Sequence, residues 1–144
     1  VPVLDELTQY VITNTTRFKE GGSTGSKVPI FRGRFPANTN DTAVAMFETG
    51  GPGPLYLSNG VLSHERPSVQ VISRSTSYLT ARNNARYVYD VLAGITTKLL
   101  PKVTSTGTTT YLTVTPVQSP ADMGKDAQER DMITCNYIAE KVVS

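Results

Sequence analysis

Residues 65–95, ERPSVQVISRSTSYLTARNNARYVYDVLAGI, constrain this chain more than any other stretch. From Ser68 to Ala93 a period-two run passes into a helical period with no glycine or proline between them. Val69 and Val71 alternate with Gln70 and Ile72 in a strand that ends near Arg74, and Ser75, Thr76 or Ser77 supplies a helix N-cap. Tyr78, Ala81, Ala85, Val88, Tyr89 and Leu92 then form one stripe, with Arg82, Asn83, Arg86 and Asp90 mainly off it. Gly94 stands at the C′ position that ends a helix. The stripe makes this helix mainly core, and nothing catalytic stands at either end of it.

Other segments supply the layers around that unit. Val3, Leu4, Leu7, Tyr10 and Val11 recur at spacings of three and four behind Pro2, Asp5 and Glu6, which predicts an amphipathic helix ending near Asn14. EGGSTGSK, 20–27, reads as a flexible loop, and VPIFRGRF, 28–35, as an edge strand because it carries proline and glycine. TAVAMFET, 42–49, puts Ala43, Ala45 and Phe47 on one face and Val44, Met46 and Glu48 on the other, so both faces need cover. Strands follow at TTTYLTVTPV, 108–117, and MITCNYIAEKVV, 132–143, the second aligning Ile133, Cys135, Tyr137 and Ala139. The polar stretches TTKLLPKVTSTG and SPADMGKDAQERD read as connections. The sum is an α+β fold: a mostly antiparallel sheet of about four or five strands with two helices packed on one face. A length of 144 residues fits a single domain, 1–144.

The stretch 50–67 is long for a loop in a compact domain and holds Leu55, Tyr56, Leu57, Val61 and Leu62. Apolar residues there need a surface. Either Ser58-Asn59-Gly60 turns a hairpin, or the stretch packs on a neighbouring subunit, and the two are compatible.

Composition removes several classes of function. With 14 basic and 12 acidic residues the net charge is +2, too small a field to point to a polyanionic partner. The local basic group Arg17, Lys19, Lys27, Arg32 and Arg34 reads as a solvated loop or as a phosphate contact. No window approaches the ~18–20 consecutive apolar residues of a membrane span, and VPVLDELTQY lacks a signal-peptide pattern, so an unsecreted protein with no membrane partner is expected. The lone Cys135 reads as a buried thiol, and a pairing with the lone His64 would require a coincidence of folding. There is no nucleophile elbow, no zinc spacing, and no regular calcium spacing in Asp122, Asp126, Glu129 and Asp131. GGSTGSK lacks the ending of a phosphate loop, and the strands carry threonine where an RNA-binding sheet would carry aromatics. No catalytic, metal or cofactor site is expected.

The residues do resemble a family. Pro67, Val69, Gln70, Val71, Arg74, Ala81, Ala85, Leu92 and Gly94 fit the strand P-x-V-Q-V-x-x-R and the following L-x-G helix of the tail terminators of long-tailed phages, often labelled minor capsid proteins. VLDELTQYVI, AMFETGG, and Gly124, Asp126 and Arg130 before the last strand fit the same order, so the resemblance covers most of the chain. It implies a structural virion protein of the tail and neck, assembled in the host cytoplasm without catalysis. Such a protein would form a six-membered ring that caps the tail tube, stops its polymerisation and faces the head connector. DNA would pass through the lumen with transient, sequence-independent contact. On that reading Leu55, Tyr56, Leu57, Arg32 and Arg34 become candidate intersubunit or tube contacts. Glu65, Arg66 and Arg74 either hold the strand–helix corner by ion pairs or face a neighbour. A head-completion or stopper protein, and a small enzyme or ligand-binding domain with a lid loop, are the alternatives.

Overall fold

The computed structural model describes residues 3–22, 25–37, 39–53, 55–56, 62–101 and 108–142, in which two helices and ten strands are found. Helix α1 is Val3–Asn14, followed by β1 Phe18–Glu20, β2 Val28–Arg32 and β3 Ala43–Gly50. Next come β4 Leu55–Tyr56, β5 Leu62–Glu65, β6 Ser68–Ser75 and helix α2 Tyr78–Leu92. The remainder is β7 Thr96–Pro101, β8 Thr108–Pro116, β9 Ala121–Lys125 and β10 Asp131–Val142. The α+β class holds, but the sheet has more strands than four or five and is mixed: β1–β2 and β2–β3 are parallel pairs. Three of these strands lie outside the segments expected to form them: β1, β7 and β9.

Strand β10 is the hub. One edge pairs with β6 from Ser68 to Ser75 and with β5 at Glu65 and His64, and its other edge pairs with β9 and β8 in turn. The main sheet therefore runs β1-β2-β3-β6-β10-β8-β7. Laid flat, seven strands would span about 29 Å at ~4.8 Å per step, whereas α1 has 12 residues and is about 18 Å long. Yet α1 touches both β1 and β7, so the sheet curls around it and the helix bridges the two ends.

The register settles what each face does. Val44, Met46, Val69, Val71, Cys135, Tyr137 and Ala139 share one face and join Val3, Leu7, Val11, Val88 and Leu92 in a single core cluster, so both helices lie on that face. Ile133 sits there too, beneath Ala81 and Ala85 of α2. Burying such side chains contributes about 1.5–3 kcal/mol each. Ser77 caps α2, as the sequence allowed, by accepting from the Thr80 amide. Tyr78, placed on the stripe by its spacing, is instead 46% exposed, and the buried stripe of α2 begins at Ala81. Asn84 is buried in α2 and accepts from Arg17 Nε at 2.8 Å, while that guanidinium stacks on Tyr87.

Two local expectations change. VPIFR is not an edge strand, since β1 lies outside it; Pro29 is tolerated because β2 pairs with β3 only from Ile30 onward. On the other face of β3, Ala43 and Ala45 are covered by the chain's own 33–42 connection, where Phe35 packs edge-on against Phe47 and under the Arg74 guanidinium. The polar segment before β10 is a stapled hairpin turn. Asp126 accepts from the amides of Gln128 and Arg130 and from Arg130 Nε at 2.7 Å, and Gly124 takes a left-handed φ of 91°.

That staple gives a first testable result. The Arg130 amide, more than any other cause, holds the Asp126 carboxyl below its ordinary value of 3.8, with the Arg130 side chain and the Gln128 amide adding to it against the opposing effect of burial. A depressed acid contributes stability above its ordinary value and loses it as pH falls through the folded value. Asp126→Ala is therefore expected to raise amide exchange at Gln128 and Arg130 by roughly tenfold near neutral pH. In the unmodified chain the same turn should loosen only below pH 3.8, as read from its NMR line shapes across an acid titration.

Candidate assembly surface

Strands β3, β4, β5 and β6 are two halves of one long hairpin. β3 pairs antiparallel with β6 down to Gly50 opposite Ser68, and beyond a gap at 51–54 the pairing resumes with Leu55 opposite His64. The hairpin expected around 50–67 is thus present; residues 57–61 at its tip, including Leu57, lie outside the described residues, as do the side chains of Leu55 and Tyr56.

The join between the body and this distal hairpin is built from backbone. Gly50 and Gly51 take φ of 88° and 133°, values that favour glycine. A Cβ on Gly51 would stand 2.4 Å from the Arg66 carbonyl oxygen and 2.8 Å from the Ser68 amide nitrogen. Across the same join Arg66 donates from Nε and Nη2 to the Gly53 carbonyl at 2.9 and 2.6 Å. On the flank, the Ala139 amide donates to Pro67, and Lys141 Nζ lies 4.0 Å from Glu65 Oε2. Arg66 therefore fastens the root of the hairpin through the Gly53 carbonyl, and Glu65 adds a long, half-exposed ion pair to Lys141.

Arg74 is buried on the face away from the helices, where it donates to the Asn40 carbonyl at 3.0 Å and stacks on Phe35. Burial, followed by the nearby Arg130 guanidinium, lowers its pKa. It holds the 33–42 connection against the sheet. Arg32 bridges α1 and β1: its Nη atoms bond both Glu20 oxygens, and its Nε lies 3.2 Å from Asp5 Oδ1 without hydrogen-bond alignment. Arg34 is exposed just after Gly33. The structure thus gathers Glu65 and Arg66 with β4, while Arg32, Arg34 and Arg74 lie around the β2–β3 end.

Spacing alone did not single out the most deeply buried charge. Glu6 of α1 is fully buried; Tyr111 Oη donates to its Oε1 at 3.0 Å, and Lys141 Nζ lies 3.5 Å from the same oxygen. Burial first, and Glu6 second, drive the Tyr111 phenol pKa far upward. Asp5 and Glu6 are adjacent, yet one faces Arg32 of β2 and the other Lys141 of β10, so the first turn of α1 clasps both sides of the curled sheet. The alternation Ile133, Cys135, Tyr137, Ala139 continues to Lys141, and a lysine in a core register was the available signal.

His64 and Cys135 fall on opposite faces, since Val142, the partner of His64, is an odd number of residues from Cys135. The thiol donates to the Gln118 carbonyl at 2.9 Å, and burial raises its pKa. The two do not meet. Among the described residues no group of three or more His, Cys, Asp or Glu could hold a metal ion, and no helix is long and apolar enough to cross a membrane.

Fold and site together define an α+β framework: a curled sheet clasped by one helix, with a long hairpin fixed at its root. A family model described as bacteriophage tail terminator protein matches residues 4–143, nearly the whole chain. The chain belongs to that family, and it is a structural protein of phage tails that assembles with other virion proteins. Among solved structures, a chain of the virion of a native gene transfer agent particle is similar in fold, with a TM-score of 0.55 at 14% identity over 79% of this chain and 78% of that one. No curated protein matches the sequence.

Proposed function

We propose that the chain acts as a single terminator domain, closing with further copies into a ring, taken as six-membered, on the finished tail tube. The ring ends tube polymerisation and presents its other side to the head connector, with assembly in the host cytoplasm and no catalysis. DNA passes through its lumen with transient, sequence-independent contact. The observation that carries this reading is the family match over residues 4–143. The geometry supports it: the distal hairpin, apolar in sequence from Leu55 to Leu62, is attached at a root fixed by Gly51, Glu65 and Arg66. Leu55, Tyr56 and Leu57 are its proposed contacts with a neighbouring subunit or the tube, and exposed Arg34 is a polar contact at the other end of the sheet. Arg32, Glu65, Arg66 and Arg74 act in this scheme by holding those elements in place. Heterologous contacts of this kind close into rings when the rotation permits.

Size-exclusion chromatography with light scattering, run with and without purified tail tubes, tests the reading. Rings, or monomers that co-elute with tubes, are expected. A chain that stays monomeric and ignores tubes contradicts it, and docking to the connector alone assigns the stopper role instead.

A further inference from the structure

We infer that Lys141 makes helix α1 and the root of the β4–β5 hairpin open as one unit. Four elements converge on this side chain. In β10, Lys141 is the register partner of Glu65 in β5 and, on its other edge, of Tyr111 in β8. The register with β8 shifts between Glu140 and Lys141, where Leu112 is the extra residue of a bulge in β8 that brings Tyr111 opposite Lys141. Tyr111 in turn donates to Glu6 in α1, and the Lys141 ammonium lies 3.5 Å from Glu6 and 4.0 Å from Glu65.

The asymmetry of the two carboxylates makes this a linkage. Glu65 is 47% exposed at its side chain and is solvated with or without the lysine, whereas Glu6 is 0% exposed and depends on it. β5 is paired with β10 only at Glu65 and His64 among the described residues, so the backbone that aims Lys141 at Glu6 is held by the hairpin root on one edge and by Tyr111 of β8 on the other. Detaching the root leaves the end of β10 held by β8 alone and loosens the counter-charge of Glu6; detaching α1 removes the group that draws Lys141 inward. The use of this coupling in assembly, with a contact at the hairpin sensed at α1, rests on the ring reading above. The coupling itself does not, and the isolated protein tests it.

Hydrogen–deuterium exchange on the full chain compares three regions: α1, the His64–Glu65 root, and the Asp126 turn at Gln128 and Arg130 as a local reference. Tyr111→Phe removes a donor from Glu6 without altering a residue that pairs with the hairpin, and is expected to raise exchange in α1 and at the root together by roughly tenfold. Lys141→Met is expected to raise both by about a hundredfold or more, with Lys141→Arg close to the unmodified chain. The reference turn stays unchanged in all three. Faster exchange in α1 with an unchanged root overturns the inference, as does an equal rise at the reference turn or no rise anywhere. Should Lys141→Met fail to fold, Tyr111→Phe decides alone.

Discussion

Lys141→Met lowers the free energy of unfolding by roughly 3–5 kcal/mol, because it leaves the Glu6 carboxylate buried without its cation. The cost belongs to the orphaned charge more than to the lost pair. Glu6→Gln in the same chain removes that charge, so the double variant should recover most of the loss. Urea unfolding with a shared m-value reads both effects directly. A double variant as unstable as the single would show that the orphaned Glu6 charge is not the source of the loss.

Gly51→Ala has the second largest expected effect. Its methyl group would meet the Arg66 carbonyl oxygen and the Ser68 amide nitrogen, both backbone atoms that cannot rotate away, at a φ of 133° that alanine rarely adopts. The strain and the clash together cost on the order of 3 kcal/mol, relieved in part by lifting 51–56 off β5 and β6. Exchange at His64 and Glu65 should accelerate and tube binding should fall, while α2 keeps its protection. Gly53→Ala, two residues along, meets nothing within 4 Å and serves as the control. Equal behaviour of the two variants would remove the close approach at Gly51 from the explanation.

The parts of this fold legible in the sequence are those whose burial is periodic. Both helices and strands β3, β6, β8 and β10 carry a repeating apolar face, and the residues that alternate in β10 are the ones buried. Strands β1, β4 and β9 have two to five residues each, too few for a period; β9 is exposed along its whole length, and β1 adds a single buried side chain, Phe18. Parallel order among β1, β2 and β3 was hidden for a related reason: short connections suggest antiparallel neighbours, yet a strand of 3 residues advances only about 10 Å, which residues 21–27 can retrace.

The candidate surface was legible only in outline. Ser58-Asn59-Gly60 offered a turn, but the reason for Gly51 lies 15 residues away at Arg66. Asp5 and Glu6 read as acids favourable at a helix start. Their division between Arg32 and Lys141 depends on the curl of the sheet, which no local pattern encodes.

The central claim is that this chain closes the end of a tail tube. Electron microscopy of tail tube protein polymerised with and without an excess of the chain tests it most directly. Added during growth, the chain should leave shorter tubes, each bearing a ring at one end, and tubes so capped should not elongate when fresh subunits are supplied. Tubes of unchanged length with bare ends that keep growing would contradict the account.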